Sequence, residues 1–165
     1  MESMKTKELQ LEQLIPIWKE RLQAGQSVRF SPKGISMLPL LRQGRDSVFL
    51  SFPPDKLKKH DIVLYQRENG QYVLHRIIEV REDDKVYTCI GDNQFMIEPG
   101  LRHDQMIAVV TAFTRGERKH SVDEPIYRMY CSLWYHSRPL RYFAFRVIRK
   151  LRRIIGRLKA KGDLH

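Results

Sequence analysis

A chain of 165 residues, 42% hydrophobic and 30% charged, can bury a core without disulfide or metal staples. Its two cysteines, Cys89 and Cys131, make neither a metal-ligand spacing nor a disulfide framework. No run of about 18 apolar residues offers a membrane-spanning helix, and the charged N-terminal stretch lacks the pattern of a secretory signal. The net charge of +11 is unevenly placed: residues 1–124 hold 19 Lys and Arg against 18 Asp and Glu, whereas 125–165 hold 11 against a single acid, Asp163. A nearly neutral domain followed by a basic appendage is the predicted organisation, divided as 1–26, 27–115 and 116–165.

Along the chain, Leu11, Leu14, Ile15, Trp18 and Leu22 recur at helical spacing, which predicts an amphipathic helix over 7–24 with Pro16 as a weak point and Gly25 as its stop. From Ser27 the pattern turns to short β-segments: 27–34, 47–52 ending at Pro53-Pro54, 61–66, 71–80, 85–90 and 106–113. Asn69-Gly70 between the third and fourth predicts a hairpin. Cys89 falls in the apolar run 86–90, where a buried free thiol is expected; this suits a reducing compartment. The expected fold is mainly β within an α+β class: a barrel-like core with an N-terminal helix and a C-terminal basic helix.

Three short stretches are candidates for chemistry. "GISMLP", Gly34 to Pro39, places a hydroxyl beside a thioether in a segment that suits neither helix nor core strand; it is either a turn or a nucleophile loop. "VLHRIIEV" puts His75 inside a strand. Alternation sets Val73, His75, Ile77 and Glu79 on one face and Tyr72, Leu74, Arg76 and Ile78 on the other. A lone strand histidine is more often a satisfied core or rim residue than a base. "CIGDNQ" is ordinary turn chemistry after a strand.

Taken in order, Gly-x-Ser-Met-x-Pro, His60-Asp-Ile-Val-Leu-Tyr, Leu74-His-Arg-Ile-Ile and Gly91-Asp-Asn resemble the boxes of the type I signal peptidase and LexA-type repressor superfamily of serine peptidases, over roughly residues 28–113. The His-Arg-Ile context resembles the endoplasmic-reticulum and sporulation branch, which uses His where other members use Lys. The resemblance implies Ser36 as nucleophile, His75 as general base and Asp92 as its acidic partner. Gly34, Ile35 and Met37 would border the substrate, with the Ser36 N–H holding the oxyanion. No metal or cofactor is expected. Three departures stand out: Gly34 replaces a Ser found in signal peptidases, the segment at 44–48 is one residue longer than usual, and His60 stands where the family commonly has Gly. Neither a membrane anchor nor a helix-turn-helix reader, for which some 26 N-terminal residues are too few, is read from the sequence.

In the tail, Leu140, Phe143, Ala144, Val147, Ile148, Leu151, Ile154, Ile155 and Leu158 fall on one arc of a helix and the basic residues take the rest, with no acid between Pro125 and Gly162. Residues 126–135 add an aromatic lead-in. Such a helix is expected to lie in the interface of an anionic membrane through residues 138–160; packing on the core and phosphate binding are the other readings, with nucleic acid disfavoured by the long apolar face. The expected function is therefore a serine endopeptidase that cleaves an extended signal or leader peptide of a precursor, with small side chains near the cut, at the cytoplasmic face of a membrane or in the cytoplasm. The alternatives are a catalytically silent peptide-binding relative and a nucleic-acid-associated regulator.

Overall fold

A computed structural model describes residues 11–81, 83 and 85–162, leaving out the side chains at 152 and 154–162. The chain forms two compact units, one ending at Arg128 and the other beginning at Met129. The first opens with helix α1, Leu11–Gln23. Seven strands and a 3-10 turn at His103–Gln105 follow: β1 Val28–Phe30, β2 Val48–Ser51, β3 Ile62–Gln66, β4 Tyr72–Arg81, β5 Val86–Ile90, β6 Glu98–Arg102 and β7 Met106–Arg115. An eighth strand, β8 Arg118–Ser121, precedes α2, Pro125–His136, and α3, Arg138–Gly162. No described helix is long and apolar enough to cross a membrane.

Helix α1 buries Ile15, Trp18 and Leu22, the stripe its spacing predicts, and the Trp18 ring meets Phe30 of β1 edge-on at 5.2 Å. Gly25, at φ +76°, ends it: the Gly25 and Gln26 amides reach back to the carbonyls of Leu22 and Arg21. Pro16 is accommodated inside the helix. The expected residues 7–10 of this helix lie outside the described ones.

The sheet is antiparallel throughout, in the order β1-β2-β7-β3-β4-β5-β6, with β8 on β7. The expected barrel is corrected here: this is an α+β fold whose sheet is not a closed barrel, with β1 and β6 as its ends. The strand expected over 27–34 stops at Phe30, because Pro32 has no N–H for a ladder and Gly34 turns at φ +91°. Two strands escape the sequence pattern. Strand β6 reads Glu-Pro-Gly-Leu-Arg, a composition tolerated only at an edge, which is where it lies. Strand β8 is short and polar and carries the sheet to Ser121, past the division expected at 115/116.

Two features of β4 decide the rest. Residues Leu74 to Ile78 are buried in succession, so both faces of the strand are covered at mid-length. Val63 pairs with His75 and Ile77 with Cys89, and Cys89 in turn pairs with Glu98. His75, two residues from Ile77, therefore shares a face with Tyr65, Cys89 and Glu98, while Arg76 faces the other way. Core residues on the His75 face include Val63, Tyr65, Ile77 and Cys89. Cys89 is a buried free thiol, as expected.

Before β3, His60 sits at φ +80°, a left-handed conformation, with its amide bound to the Ile77 carbonyl at 2.8 Å. This is the position where the resemblance expects Gly, and the geometry gives the reason: a side chain is strained there by roughly 1–2 kcal/mol. His60→Gly is expected to match or exceed the wild-type stability, by up to about 1 kcal/mol, and His60→Val to lose about 1–2 kcal/mol, in urea denaturation.

Candidate active site

Ser36 lies in a turn-rich loop between β1 and β2, held from several sides. The Leu41 amide bonds the Met37 carbonyl at 2.9 Å, and the Leu40 carbonyl accepts from Arg115 Nη1 at 2.8 Å. Farther along, the Asp46 carboxylate takes the Arg42 amide, the Arg42 guanidinium and the Gly116 amide. These bonds, the Arg42 side chain first, hold its carboxyl well below the usual range. The backbone of Ser36 is tied to the turn after β5: the Asn93 amide donates to the Ser36 carbonyl at 2.7 Å, and Asn93 Nδ2 donates to the Ile35 carbonyl at 3.2 Å.

The backbone of Ser36 and the ring of His75 both pack against Gly91. A Cβ on this glycine would stand 2.8 Å from the Ser36 carbonyl oxygen and 3.0 Å from His75 Nε2. Only a hydrogen fits between them. Ser36 and His75 also line one cavity of about 650 Å³, shared with Gly34, Met37 and Gln94. Of the expected substrate neighbours, Gly34 and Met37 are on this cavity wall, Met37 buried beneath it, whereas the Ile35 side chain is 64% exposed and is not part of the lining. The Gly34 amide donates to Gln43 Oε1 at 2.9 Å.

On the other side of the ring, His75 Nδ1 is 3.2 Å from the Tyr65 hydroxyl and 3.3 Å from Glu98 Oε1. Arg67 grips Glu98 with both its Nε, at 2.8 Å to Oε2, and its Nη2. An ionised carboxylate only accepts hydrogen bonds, which favours the proton on Nδ1 and the lone pair on Nε2, the ring atom beside Gly91. Burial by itself would raise the Glu98 carboxyl, but hydrogen bonds from Arg67 and Tyr65 outweigh it and bring the pKa below its ordinary value. Glu98 is thus ionised at neutral pH.

The carboxylate facing His75 is Glu98, and not the expected Asp92. Asp92 is held by Arg76: Nε to Oδ1 and Nη2 to Oδ2, both at 2.7 Å, with the two side chains almost fully buried. Arg76 further donates through Nη1 to Tyr127 Oη at 2.9 Å and to the His60 carbonyl at 3.0 Å. Adjacent residues of a strand face opposite sides, so the group that binds Arg76 is directed away from His75. Asp92 acts on the site through the backbone: by fixing Asp92 to β4, the pair sets Gly91 and Asn93 against Ser36. Glu98 is six residues beyond Asp92, in a segment whose Pro-Gly composition gives no strand signal; only the register of β4, β5 and β6 brings it to His75.

His75 is 2% exposed. Burial is the largest influence on it and lowers its pKa to about 4, with Glu98 opposing and Arg67 assisting that shift and Asp92 opposing it more weakly. The imidazole is therefore neutral across physiological pH and able to accept a proton. Burial also raises the Tyr65 hydroxyl and the Cys89 thiol, which both stay protonated.

NMR titration of His75 is expected to give a midpoint near 4 in place of the ordinary 6.5. The native ring binds its proton less readily than the unfolded one, so the contribution of His75 to stability is whole above pH 6.5 and is lost as pH falls toward 4, by on the order of 3 kcal/mol at most. Gly91→Ala is expected to cost about 1–3 kcal/mol in thermal denaturation and to move the His75 ring resonances, because its methyl crowds the Ser36 carbonyl, the Gln94 side chain and His75 together. No protein-family model matches this chain, and no curated protein matches it.

Proposed function

We propose that this chain is a serine endopeptidase of the type I signal peptidase and LexA-type repressor superfamily, acting on a signal or leader peptide of a precursor at a membrane surface. The observation that carries the reading is that Ser36 and a neutral His75 line one cavity and both pack on the Gly91 turn, with a carboxylate facing His75 Nδ1. In the proposed reaction His75 Nε2 takes the Ser36 hydroxyl proton as Oγ bonds to the scissile carbonyl carbon. The imidazolium formed is balanced by Glu98, where the resemblance alone implies Asp92. Collapse of the tetrahedral intermediate breaks the C–N bond, and His75 returns the proton to the leaving amine. Water then attacks the acyl ester with the same base, releasing the acid and restoring Ser36.

The membrane part of the reading rests on α3. Leu140, Phe143, Val147, Ile148 and Leu151 share one arc of the helix and are 40–70% exposed, an apolar stripe that solvent does not favour. Arg146 and Arg149 lie over the rings of Tyr142 and Phe145 on the opposite face, at 5.8 and 5.9 Å. Arg141 joins α3 to α2, lying 3.6 Å from the Trp134 ring centroid and donating to the Trp134 carbonyl. An anionic leaflet accepts both the apolar stripe and the charges, whereas a second copy docked on the stripe would leave the basic face without a counter-charge. The sequence-based residues Arg152 and 154–160 of this face have side chains outside the described ones. On this reading the protein is peripheral, on the cytoplasmic side.

Cleavage of a leader-type peptide is expected to be lost in Ser36→Ala and His75→Ala with the fold retained. Glu98→Gln is expected to lower kcat by about 10³–10⁴-fold with a small change in Tm. Asp92→Asn is expected instead to cost about 3–5 kcal/mol in stability, since it leaves the buried Arg76 without its counter-charge. Retained cleavage in Ser36→Ala would remove Ser36 as the nucleophile and with it the serine-peptidase reading. Co-sedimentation with phosphatidylserine vesicles, weakened by salt and by Phe143→Asp and absent with neutral lipid, is the expected result for α3; binding of duplex DNA with equal strength after Phe143→Asp would favour the nucleic-acid reading instead.

A further inference from the structure

The cavity that opens onto Ser36 and His75 is larger than a small side chain needs. Its volume of about 650 Å³ lies within the range of pockets that enclose whole ligands, roughly 300–1,000 Å³. Its walls come from three places. Leu64 and Leu74 supply a buried floor from β3 and β4, Phe30 a half-buried side from β1, and Leu11 and Leu14 a half-buried wall from α1. Leu11 and Leu14 are three residues apart and so project from one face of the helix. That helix is held in place by its own buried stripe and by Trp18 on Phe30, so the wall is part of the folded unit. The lining also holds two cationic residues, Lys33 and Arg67, and Arg67 is paired with Glu98.

We infer that this cleft is a substrate subsite for a bulky apolar side chain, Leu, Ile, Met or Phe, on the acyl side of the cut bond, and that Leu11 and Leu14 of α1 determine this specificity. The inference rests on the peptidase reading for the words "cut bond" and departs from the small side chains the sequence resemblance implies. The occupant follows from continuity: the cavity shares its lining with Ser36 and His75, so a peptide positioned for attack on its carbonyl places its own neighbouring side chains there. An alanine would leave the half-buried Leu11, Leu14 and Phe30 in contact with water. A leucine or phenylalanine would cover them, and each added apolar group of this kind is worth roughly 10–200-fold in discrimination.

The test has a cleavage arm and a binding arm. In the first, the wild type, Leu14→Trp and Leu11→Trp are given a degenerate decapeptide library, and the products are sequenced by mass spectrometry. Leu, Ile, Met or Phe is expected within three residues of the cut on the acyl side, with the Leu-to-Ala ratio of kcat/KM at least about 10 and falling about tenfold or more in either Trp variant. In the second, Ser36→Ala is titrated by calorimetry with acetyl-Leu-Leu-Leu amide and acetyl-Ala-Ala-Ala amide, alone and combined with each Trp variant. Circular dichroism checks the fold, and two separate positions guard against one variant failing to fold. Tighter binding of the Leu peptide by at least about tenfold, reduced by both Trp variants, supports the subsite even if no peptide is cleaved. Cleavage with Ala preferred overturns the inference and leaves the peptidase reading standing. Equal binding of both peptides, or of neither, with no apolar preference in cleavage, also overturns it.

Discussion

The buried ion pair between Arg76 and Asp92 is the constraint on which the site is built. Two charges taken out of water lose several kcal/mol of hydration each, and only close bidentate contact and further hydrogen bonds recover it. Here the fork at 2.7 Å is completed by the Tyr127 hydroxyl and the His60 carbonyl. The pair contributes little net stability compared with apolar packing, but its geometry admits one arrangement. It fixes the turn after β5, and that turn, through Gly91 and Asn93, fixes the Ser36 loop. The charge pair thus acts on the position of this loop through the backbone of the turn.

The opposite face of β4 carries a second polar group with a different solution to burial. His75 avoids the penalty by remaining neutral, which is why its pKa falls to about 4. Glu98 stays ionised because Arg67 and Tyr65 hold it. A neutral imidazole beside a fixed carboxylate has one favoured tautomer, with the lone pair on Nε2. A proposed general base gains from this that the compensating charge is already in position when a proton arrives, while a pKa near 4 makes the ring a weaker base than a free imidazole.

Helix α3 poses the reverse problem. Its cations meet no acid in their own segment, and its apolar stripe is exposed. Arginines lie over the aromatic residues on the basic face, while the stripe from Leu140 to Leu151 is exposed with no cation over it in these contacts. The proposed membrane role treats charge and stripe as one surface with one partner.

Local pattern was legible in the sequence. Helical spacing marked Ile15, Trp18 and Leu22, Asn69-Gly70 marked the β3–β4 hairpin, and the charge asymmetry marked the basic helix. The motif order singled out Ser36 and His75, which line one cavity. Strand β6 was hidden because Pro99 and Gly100 suppress every propensity signal, and with it went Glu98. By itself, then, the sequence determined most of the helical and extended segments, β6 and β8 excepted, and which residues are chemically capable, since periodicity and residue type are local properties. Only the tertiary structure decided which carboxylate faces His75 and which serves Arg76. The strand period of two sends neighbouring side chains to opposite faces, and the register of three strands then chooses their partners.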